Sequence, residues 1–178
     1  MLEDLLETAK NHWIRAKNDK KHPFHYFTLA TTSKAGTPHL RTVVLRDFDP
    51  DLFIFKLYTD ARTAKVEELN INPRGQLLFY HPKAKLQISV DFTLVDSKTS
   101  KNDFNSLPPI SKRDYTIEPV PGTPIKNPEN IYFETTQNHF RALYLEAFSV
   151  EYLQLHNPQH IRARFDKHKQ WIGEFLVP

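Results

Sequence analysis

The first segment of the chain has the hydrophobic spacing of an amphipathic helix. Its apolar residues recur at steps of three and four positions: Leu2, Leu5, Leu6, Ala9, Trp13 and Ala16. Residues at this spacing share one face when the backbone turns once every 3.6 residues. The pattern predicts a helix over residues 1–18 whose apolar face packs against the rest of the protein.

From residue 24 onwards the pattern is that of short strands. Aromatic and β-branched runs alternate with turn residues, and strands are predicted over 24–32, 39–48, 52–59, 75–81, 85–95, 140–148, 150–155, 161–166 and 170–177. Strict alternation of apolar and polar residues from Leu86 to Leu94 indicates a strand with one buried face. Short sequential strands favour a closed antiparallel barrel over a parallel α/β sheet.

Two helices and a long loop interrupt these strands. Residues 61–71 are predicted to form a helix with Asp60 as its N-cap, ended by Asn72 and Pro73. A second short helix is expected within 97–106. Residues 107–130 contain several prolines, which predicts an extended loop. We interpret residues 1–178 as a single domain.

The composition excludes several classes of protein. The chain has 178 residues, no cysteine and a formal net charge of +3. Disulfide scaffolds, thiolate metal sites and cysteine nucleophiles are therefore excluded. No run of about 18 apolar residues is present, so no membrane partner is expected. The acidic first residues do not resemble a signal peptide, and a cytoplasmic location is expected. Basic and acidic residues alternate without a basic stripe, so we expect no nucleic-acid partner.

Common catalytic and metal-binding motifs are absent from the sequence. The nine histidines form no HExxH motif, and His156 and His160 flank an Asn-Pro pair that disfavours a helix. No carboxylates are spaced as an acid/base pair. The only four glycines are far apart, which excludes a glycine-rich phosphate loop. We therefore predict no metal site and assign no catalytic residue.

One cluster of residues has the chemistry of a phosphate site. A predicted strand runs from Arg41 to Arg46, and the next strand ends at Thr59, just before a helix start that carries Thr63 and Lys65. Cations, hydroxyl groups and the first N–H groups of a helix all bind phosphate without glycine. The alternative interpretation is a capped helix with solvated cations.

The order of these motifs resembles the pyridoxamine 5′-phosphate oxidase-like family of FMN-binding split barrels, and more narrowly its oxidase-related FMN-binding subgroup. The resemblance extends from about Trp13 to Pro178 and is most specific in RTVVLR (41–46) and TDARTAK (59–65). It implies a mainly β (α+β) fold, an antiparallel split β-barrel with short flanking helices. It also implies FMN as the cofactor and a homodimer with FMN at the interface.

The resemblance further implies which residues contact FMN. They are Arg41, Thr42, Val43, Val44, Leu45, Arg46, Tyr58, Thr59, Arg62, Thr63, Lys65, Gln87 and Arg164. Arg41 and Lys65 would pair with the phosphate, whereas Gln87 and Arg164 would bind the flavin. Ala64 stands where the oxidase proper has an arginine directly before that lysine.

On the substrate side the chain departs from the oxidase proper. Asp103 stands where the family has a tyrosine, and Leu107 where it has a phosphate-binding arginine, whereas Ser111 is kept. The C-terminal Arg-x-His pair becomes His160 and Arg162, in swapped order. The candidate substrate residues are Arg46, Ser111, Arg113, His160 and Arg162, with Lys112 or Arg113 as replacement for the missing arginine.

These observations predict an FMN-binding flavoprotein that acts as an FMN-dependent oxidoreductase on an unidentified small molecule. Two alternatives stay open. The chain could be a pyridoxamine 5′-phosphate oxidase proper, or a non-catalytic FMN-binding module that serves as a sensor or carrier.

Overall fold

The computed structural model describes residues 1–178. The strands are β1 (Tyr26–Thr32), β2 (Pro38–Val44), β3 (Asp47–Asp49), β4 (Ile54–Asp60), β5 (Arg74–His81), β6 (Leu86–Lys98), β7 (Ile117–Glu118), β8 (Tyr132–Phe133), β9 (Phe140–Gln154), β10 (Ile161–Asp166) and β11 (Gly173–Leu176). The helices are α1 (Leu2–Asn18), α2 (Ala64–Ile71), α3 (Lys101–Ser106) and α4 (Pro109–Arg113). None of these helices combines the length and the apolar character needed to cross a membrane.

Nine strands form one curled antiparallel sheet. Its order is β11-β10-β9-β6-β5-β1-β2, with β4 paired to β9 and β3 paired to β4, while β7 and β8 form a separate pair. The sheet curls because β9 pairs with β4 along its first half and with β10 along its second half. The N–H of Arg46 donates to the carbonyl of Lys56 at 2.9 Å, which joins the end of β2 to β4. The predicted split-barrel fold with short flanking helices is confirmed.

The inner face of the sheet carries a large aromatic core. Trp13 on α1 is fully buried, and its ring packs against Phe55 and Phe48 at centroid distances of 5.0 and 5.1 Å. Phe27 stacks on Phe79 at 4.6 Å. The predicted helix over 1–18 is therefore confirmed, and its apolar stripe is the face that packs on the barrel.

The two strands predicted over 140–148 and 150–155 are wrong as separate elements. They form the single strand β9, which pairs with β6 from Ala142 to Gln154. Asp91 pairs with Ser149 and Phe92 with Ala147, so Phe148 is an extra residue in a β-bulge. The bulge interrupts the alternation of apolar and polar residues, which is why the sequence pattern suggests a break.

The predicted start of the second helix and the predicted loop over 107–130 also differ from the structure. Helix α2 begins at Ala64 with Thr63 as its N-cap, because Asp60 still belongs to β4. The carboxylate of Asp60 instead accepts a hydrogen bond from the N–H of Arg62 at 2.8 Å, within the turn that follows the strand. The segment 107–130, predicted as an extended loop, contains helix α4 and strand β7.

Candidate functional site

The end of β4 and the start of α2 bring an ammonium group next to two hydroxyl groups. The Oγ1 atoms of Thr59 and Thr63 lie 3.2 Å apart. The Nζ of Lys65 donates to Thr59 Oγ1 at 3.0 Å and to Thr63 Oγ1 at 3.2 Å. The turn between the two elements holds this arrangement, because the Thr63 hydroxyl donates to the Asp60 carbonyl at 2.8 Å.

The ammonium group of Lys65 is partly buried and forms no ion pair with a carboxylate within 4.0 Å. Burial lowers the pKa of Lys65, and the nearby charge of Arg41 lowers it further, whereas Asp60 and Glu68 act in the opposite direction. A cation that is desolvated without a carboxylate partner is stabilised by an anionic ligand. The donor set around Lys65 is therefore of the type that binds phosphate.

Arg41 is held close to this group by a buried carboxylate. Glu68 of α2 accepts hydrogen bonds from the hydroxyl of Thr31, from the ring of His39 and from Arg41 Nη2, the last at 3.1 Å. Desolvation acts to raise the pKa of Glu68, but these three hydrogen bonds and the charge of Arg41 together lower it. Glu68 is thus charged near pH 7 and fixes the guanidinium of Arg41.

The guanidinium of Arg62 is directed to other partners. It forms a two-point ion pair with Asp60, donates to the carbonyl of Ile117 at 2.8 Å and pairs with Glu118. Its hydrogen bonds with Asp60 are the first reason why its pKa is raised. These contacts tie strand β7 to the turn that precedes α2.

The remaining predicted residues of the RTVVLR motif lie in β2 or directly after it. Thr42, Val43 and Val44 lie in the strand, and Leu45 directly follows it and is fully buried. The guanidinium of Arg46 lies 5.4 Å from the centre of the Tyr58 ring, and its Nε is buried without a hydrogen-bond partner. Burial raises the pKa of Tyr58 to about 12, although Lys56 acts to lower it.

The segment from α3 to α4 packs beside Tyr58. Leu107 is 8 % exposed and packs in a small core with Tyr115, Phe140 and Ala142. Asp103 forms an ion pair with Lys56 at 2.7 Å.

The two cations considered as replacements for the missing arginine have partners of their own. Lys112 Nζ donates to the carbonyl of Asn105 at 2.9 Å. The guanidinium of Arg113 stacks over the Phe133 ring at 3.7 Å. Ser111 lies on the same helix, α4, one residue before Lys112.

A second group of predicted residues lies on the outer face of the sheet. Arg164 is exposed and pairs with Glu174 at 2.9 Å, and Arg162 pairs with Glu151 at 2.9 Å. Both arginines line an open cleft of about 780 Å³, together with Ser89 and other polar residues of β6, β9 and β10. His160 directly precedes β10 and does not line this cleft, and its Nδ1 contacts the backbone of His156.

Gln87 shares this outer face. It precedes Ser89 on the polar side of β6 and pairs with Tyr80 and Leu153 in the sheet. The predicted site is therefore split within one chain: Arg41, Thr59 and Lys65 do not line the cleft that contains Arg164.

Sequence reasoning did not identify Glu68 or Thr31, which fix Arg41. Glu68 lies 27 residues from Arg41, so no local motif connects them. The sequence offered one signal for Glu68: it lies one helical turn after Lys65 on α2, which places the two side chains on the same side of the helix.

Comparison with known proteins identifies the family. The family model described as "Pyridoxamine 5'-phosphate oxidase, FMN-binding domain" matches residues 7–95, which is half of the chain. The chain belongs to this family. FMN is accordingly the cofactor of this pyridoxamine 5′-phosphate oxidase-like protein, and the predicted family and cofactor are confirmed.

Curated relatives in the family carry the names of enzymes. A pyridoxine/pyridoxamine 5′-phosphate oxidase of Microcystis aeruginosa is 34% identical over 114 residues, which cover 58% of this chain and 52% of that enzyme. The enzyme of the same name from Polynucleobacter asymbioticus is 30% identical over 122 residues, covering 67% of this chain and 56% of the relative. The chain thus spans about half the length of these curated relatives.

Solved structures share the fold over nearly the whole chain. A pyridoxamine 5′-phosphate oxidase-related, FMN binding protein from Nostoc punctiforme has a TM-score of 0.75 and 24% identity, with 96% of both chains covered. PhzG from Burkholderia lata, in complex with tetrahydrophenazine-1-carboxylic acid, has a TM-score of 0.76 and 15% identity, with 96% of this chain and 91% of that chain covered. At these identities the likeness establishes the split-barrel fold of the oxidase-like family.

Proposed function

We propose that this protein is an FMN-dependent oxidoreductase that acts on a small molecule, and that Lys65, Thr59, Thr63 and Arg41 hold the FMN phosphate. The observation that carries the proposal is the ammonium of Lys65, which is bonded only to the two threonine hydroxyls. A phosphate dianion would supply the negative charge that this desolvated cation lacks. The backbone from Thr42 to Leu45 would run along the cofactor.

Two neighbouring residues support the phosphate site without touching it. Glu68 orients Arg41 by an ion pair. Its single negative charge is set against the two positive charges of Arg41 and Lys65, so these three residues keep a net positive charge. Arg62 was expected to contact FMN. Its ion pairs with Asp60 and Glu118 favour a structural role in the turn.

We further propose that the site is completed by a second copy of the chain. Gln87 and Arg164 lie on the outer face of the sheet, and Arg164 lines a cleft that Lys65 does not reach. In a two-fold homodimer the same surface is used by both copies, so two equivalent sites arise. FMN would then contact Lys65 of one copy and Arg164 of the other.

Bound FMN supplies a two-electron acceptor, and the residues of this chain bind and orient the substrate. Arg46 is suited to this task because its guanidinium lies beside Tyr58 and its buried Nε has no hydrogen-bond partner. Arg46 would attract an electron-rich or anionic group of the substrate. Tyr58 would stay protonated at neutral pH, since burial raises its pKa to about 12.

The substrate side favours a molecule other than pyridoxine 5′-phosphate. Leu107 is buried in an apolar cluster, and the cations of Lys112 and Arg113 are engaged by Asn105 and Phe133. Both cations considered as replacements for the missing arginine thus already have partners within the chain. Loss of a charged hydrogen bond to a buried phosphate costs about 1.5–3 kcal/mol.

Anaerobic reduction of the FMN-loaded protein tests this proposal. The flavin absorbance near 450 nm would be followed after addition of a panel of small amines, alcohols, dihydro-heterocycles and reduced pyridine nucleotides, with pyridoxine 5′-phosphate as the comparison. We expect at least one panel member to reduce the flavin and pyridoxine 5′-phosphate to be slower by about tenfold or more. Equal or faster reduction by pyridoxine 5′-phosphate would instead identify the oxidase proper.

The engagement of Lys112 and Arg113 also supports a non-catalytic FMN-binding module. A protein of this type would bind FMN with the same Lys65-dependent affinity but would not be reduced by any panel member.

A further inference from the structure

Three histidines from distant parts of the sequence meet on the side of the barrel near α1. His12 lies in α1, His22 precedes β1 and His81 is the last residue of β5. One ring nitrogen from each of the three lies within 4.8 Å of the other two. The ring centroids are 5.3 Å apart for His12 and His22, 5.3 Å for His12 and His81, and 5.9 Å for His22 and His81.

Backbone hydrogen bonds orient two of the rings. The Nδ1 of His22 accepts from the N–H of Phe24 at 3.1 Å, and the Nδ1 of His81 accepts from the N–H of Ala84 at 3.2 Å. The Nε2 of His22 therefore faces His12, whose Nδ1 lies 3.1 Å away. Nε2 is likewise the nitrogen that His81 has available.

We propose that His12, His22 and His81 bind a divalent first-row transition metal ion such as Zn²⁺. Nitrogen ligands at about 2.0–2.1 Å in tetrahedral geometry lie about 3.3–3.4 Å apart, so small ring movements would bring the three nitrogens into position. Three neutral imidazoles with no thiolate or carboxylate in the cluster suit Zn²⁺, Co²⁺, Ni²⁺ or Cu²⁺. All three residues are partly exposed, which leaves a fourth coordination position for water.

The electrostatic setting is consistent with this site. Burial, followed by the charges of His22, His81 and Arg15, lowers the pKa of His12 to about 4, so its ring is neutral at pH 7. Arg15 opposes a bound cation, whereas Asp19, which acts on His22, favours it.

Coordination would change the hydrogen bonds of two ligands. A metal on Nε2 leaves the ring proton on Nδ1, so His22 and His81 would release the N–H groups of Phe24 and Ala84. Since these two bonds are lost, we expect weaker binding than at a closed structural zinc site. In return the ion would link α1 to the segment before β1 and to the end of β5.

The proposed metal site is separate from the phosphate site. Thr31, at the end of β1, contacts Arg41 and Glu68 beside the phosphate site. Its neighbour Ala30 pairs with Gln76 of β5, and His81 lies five residues further along β5, roughly 16 Å from Gln76. The metal can therefore be tested with metal-free, FMN-loaded protein, and failure of one site does not imply failure of the other.

Titration of the tag-free protein with Co²⁺ tests the proposal, since cobalt bound by nitrogen ligands in a tetrahedral site gives visible absorption bands. We expect one Co²⁺ per chain, displaced by Zn²⁺, and a higher Tm with Zn²⁺. His22→Asn and His81→Asn keep an acceptor for the backbone N–H groups but remove Nε2, so each should weaken binding by about tenfold or more. His156→Asn, in the exposed pair with His160, is the matched control and should bind as the parent does.

Absence of Co²⁺ binding to the parent below millimolar concentration would overturn the proposal. So would parental affinity in both His22→Asn and His81→Asn. FMN affinity and the Tm of each metal-free variant report whether it is folded. Should one variant be unfolded, the other decides the outcome.

Discussion

The Nζ of Lys65 lies 3.0 Å from the Oγ1 of Thr59, across the turn that connects β4 to α2. A lysine at this depth is usually paired with a carboxylate, but here its hydrogen-bond partners are hydroxyl groups. Thr59 can donate as well as accept, so its hydroxyl hydrogen can turn to an incoming anion, whereas Thr63 donates to the Asp60 carbonyl and holds the turn. This relationship is the structural basis of the proposed phosphate site.

Lys65→Ala should weaken FMN binding. Loss of one charge-assisted hydrogen bond costs about 1.5–3 kcal/mol, which corresponds to about 10- to 150-fold in Kd. The loss should be smaller at high salt, because ions screen the interaction between the cation and the phosphate. Quenching of FMN fluorescence at two salt concentrations measures both effects. Lys20→Ala removes an exposed lysine and is the control, and an equal Kd for both variants would contradict the assignment.

Glu68→Gln should reduce stability most at neutral pH. The pKa of Glu68 is lowered below the ordinary value of 4.5, so its contribution is fully present above pH 4.5 and is lost as pH falls through the folded-state pKa. The difference in the free energy of unfolding between parent and variant should therefore shrink below pH 4.5. Urea unfolding at pH 7 and pH 4 measures it. The adjacent exposed Glu67→Gln should differ little from the parent at either pH, and a pH-independent effect at Glu68 would contradict its charged role.

The sequence predicted those parts of the fold and site that depend on local spacing. This class includes the helix that carries Leu6 and Trp13 and the strand around Val90. It also includes the nearby residues Thr59, Thr63 and Lys65. Their geometry follows from spacing along the chain, because residues at fixed short separations share a helix face, a strand face or a turn.

Other parts of the structure depend on contacts between distant residues. Phe148 disrupts the alternating pattern because β9 bulges against β6, and Glu68 reaches Arg41 through tertiary packing. His12 and His81 meet only because α1 packs against the end of β5. Such pairings are set by the sheet topology, which local patterns do not encode.

Leu107→Ala should destabilise the protein without changing FMN affinity. Its side chain is buried against Tyr115 and Phe140, so the substitution leaves a cavity. The expected loss is about 2 kcal/mol, at the lower end for buried leucines, because the cluster is small. Urea unfolding gives the free energy, with Ile110→Ala on exposed α4 as the control at less than about 0.5 kcal/mol. A large loss of FMN affinity would show that Leu107 belongs to the cofactor site.

A mixed dimer of Lys65→Ala and Arg164→Ala chains tests whether two copies share each site. If Lys65 of one copy and Arg164 of the other hold one FMN, the mixed dimer contains one intact site and one doubly altered site. Half of the FMN sites should then bind with parental affinity.

If both residues act within one chain, neither site of the mixed dimer is intact and no parental affinity appears. Lys167→Ala removes an exposed lysine that pairs with Glu146, and it is the control for charge loss near Arg164. The parent must also sediment as a dimer, and a monomer that binds FMN with full affinity would contradict the shared site.

The ratio of FMN affinity to riboflavin affinity tests the phosphate site most directly, because the two ligands differ only in the phosphate group. We predict that the parent binds FMN more tightly than riboflavin by about two orders of magnitude or more, from two charged contacts at Lys65 and Arg41. Lys65→Ala should lower FMN affinity and leave riboflavin affinity unchanged, so the ratio falls by about tenfold or more. An unchanged ratio in Lys65→Ala would contradict the account.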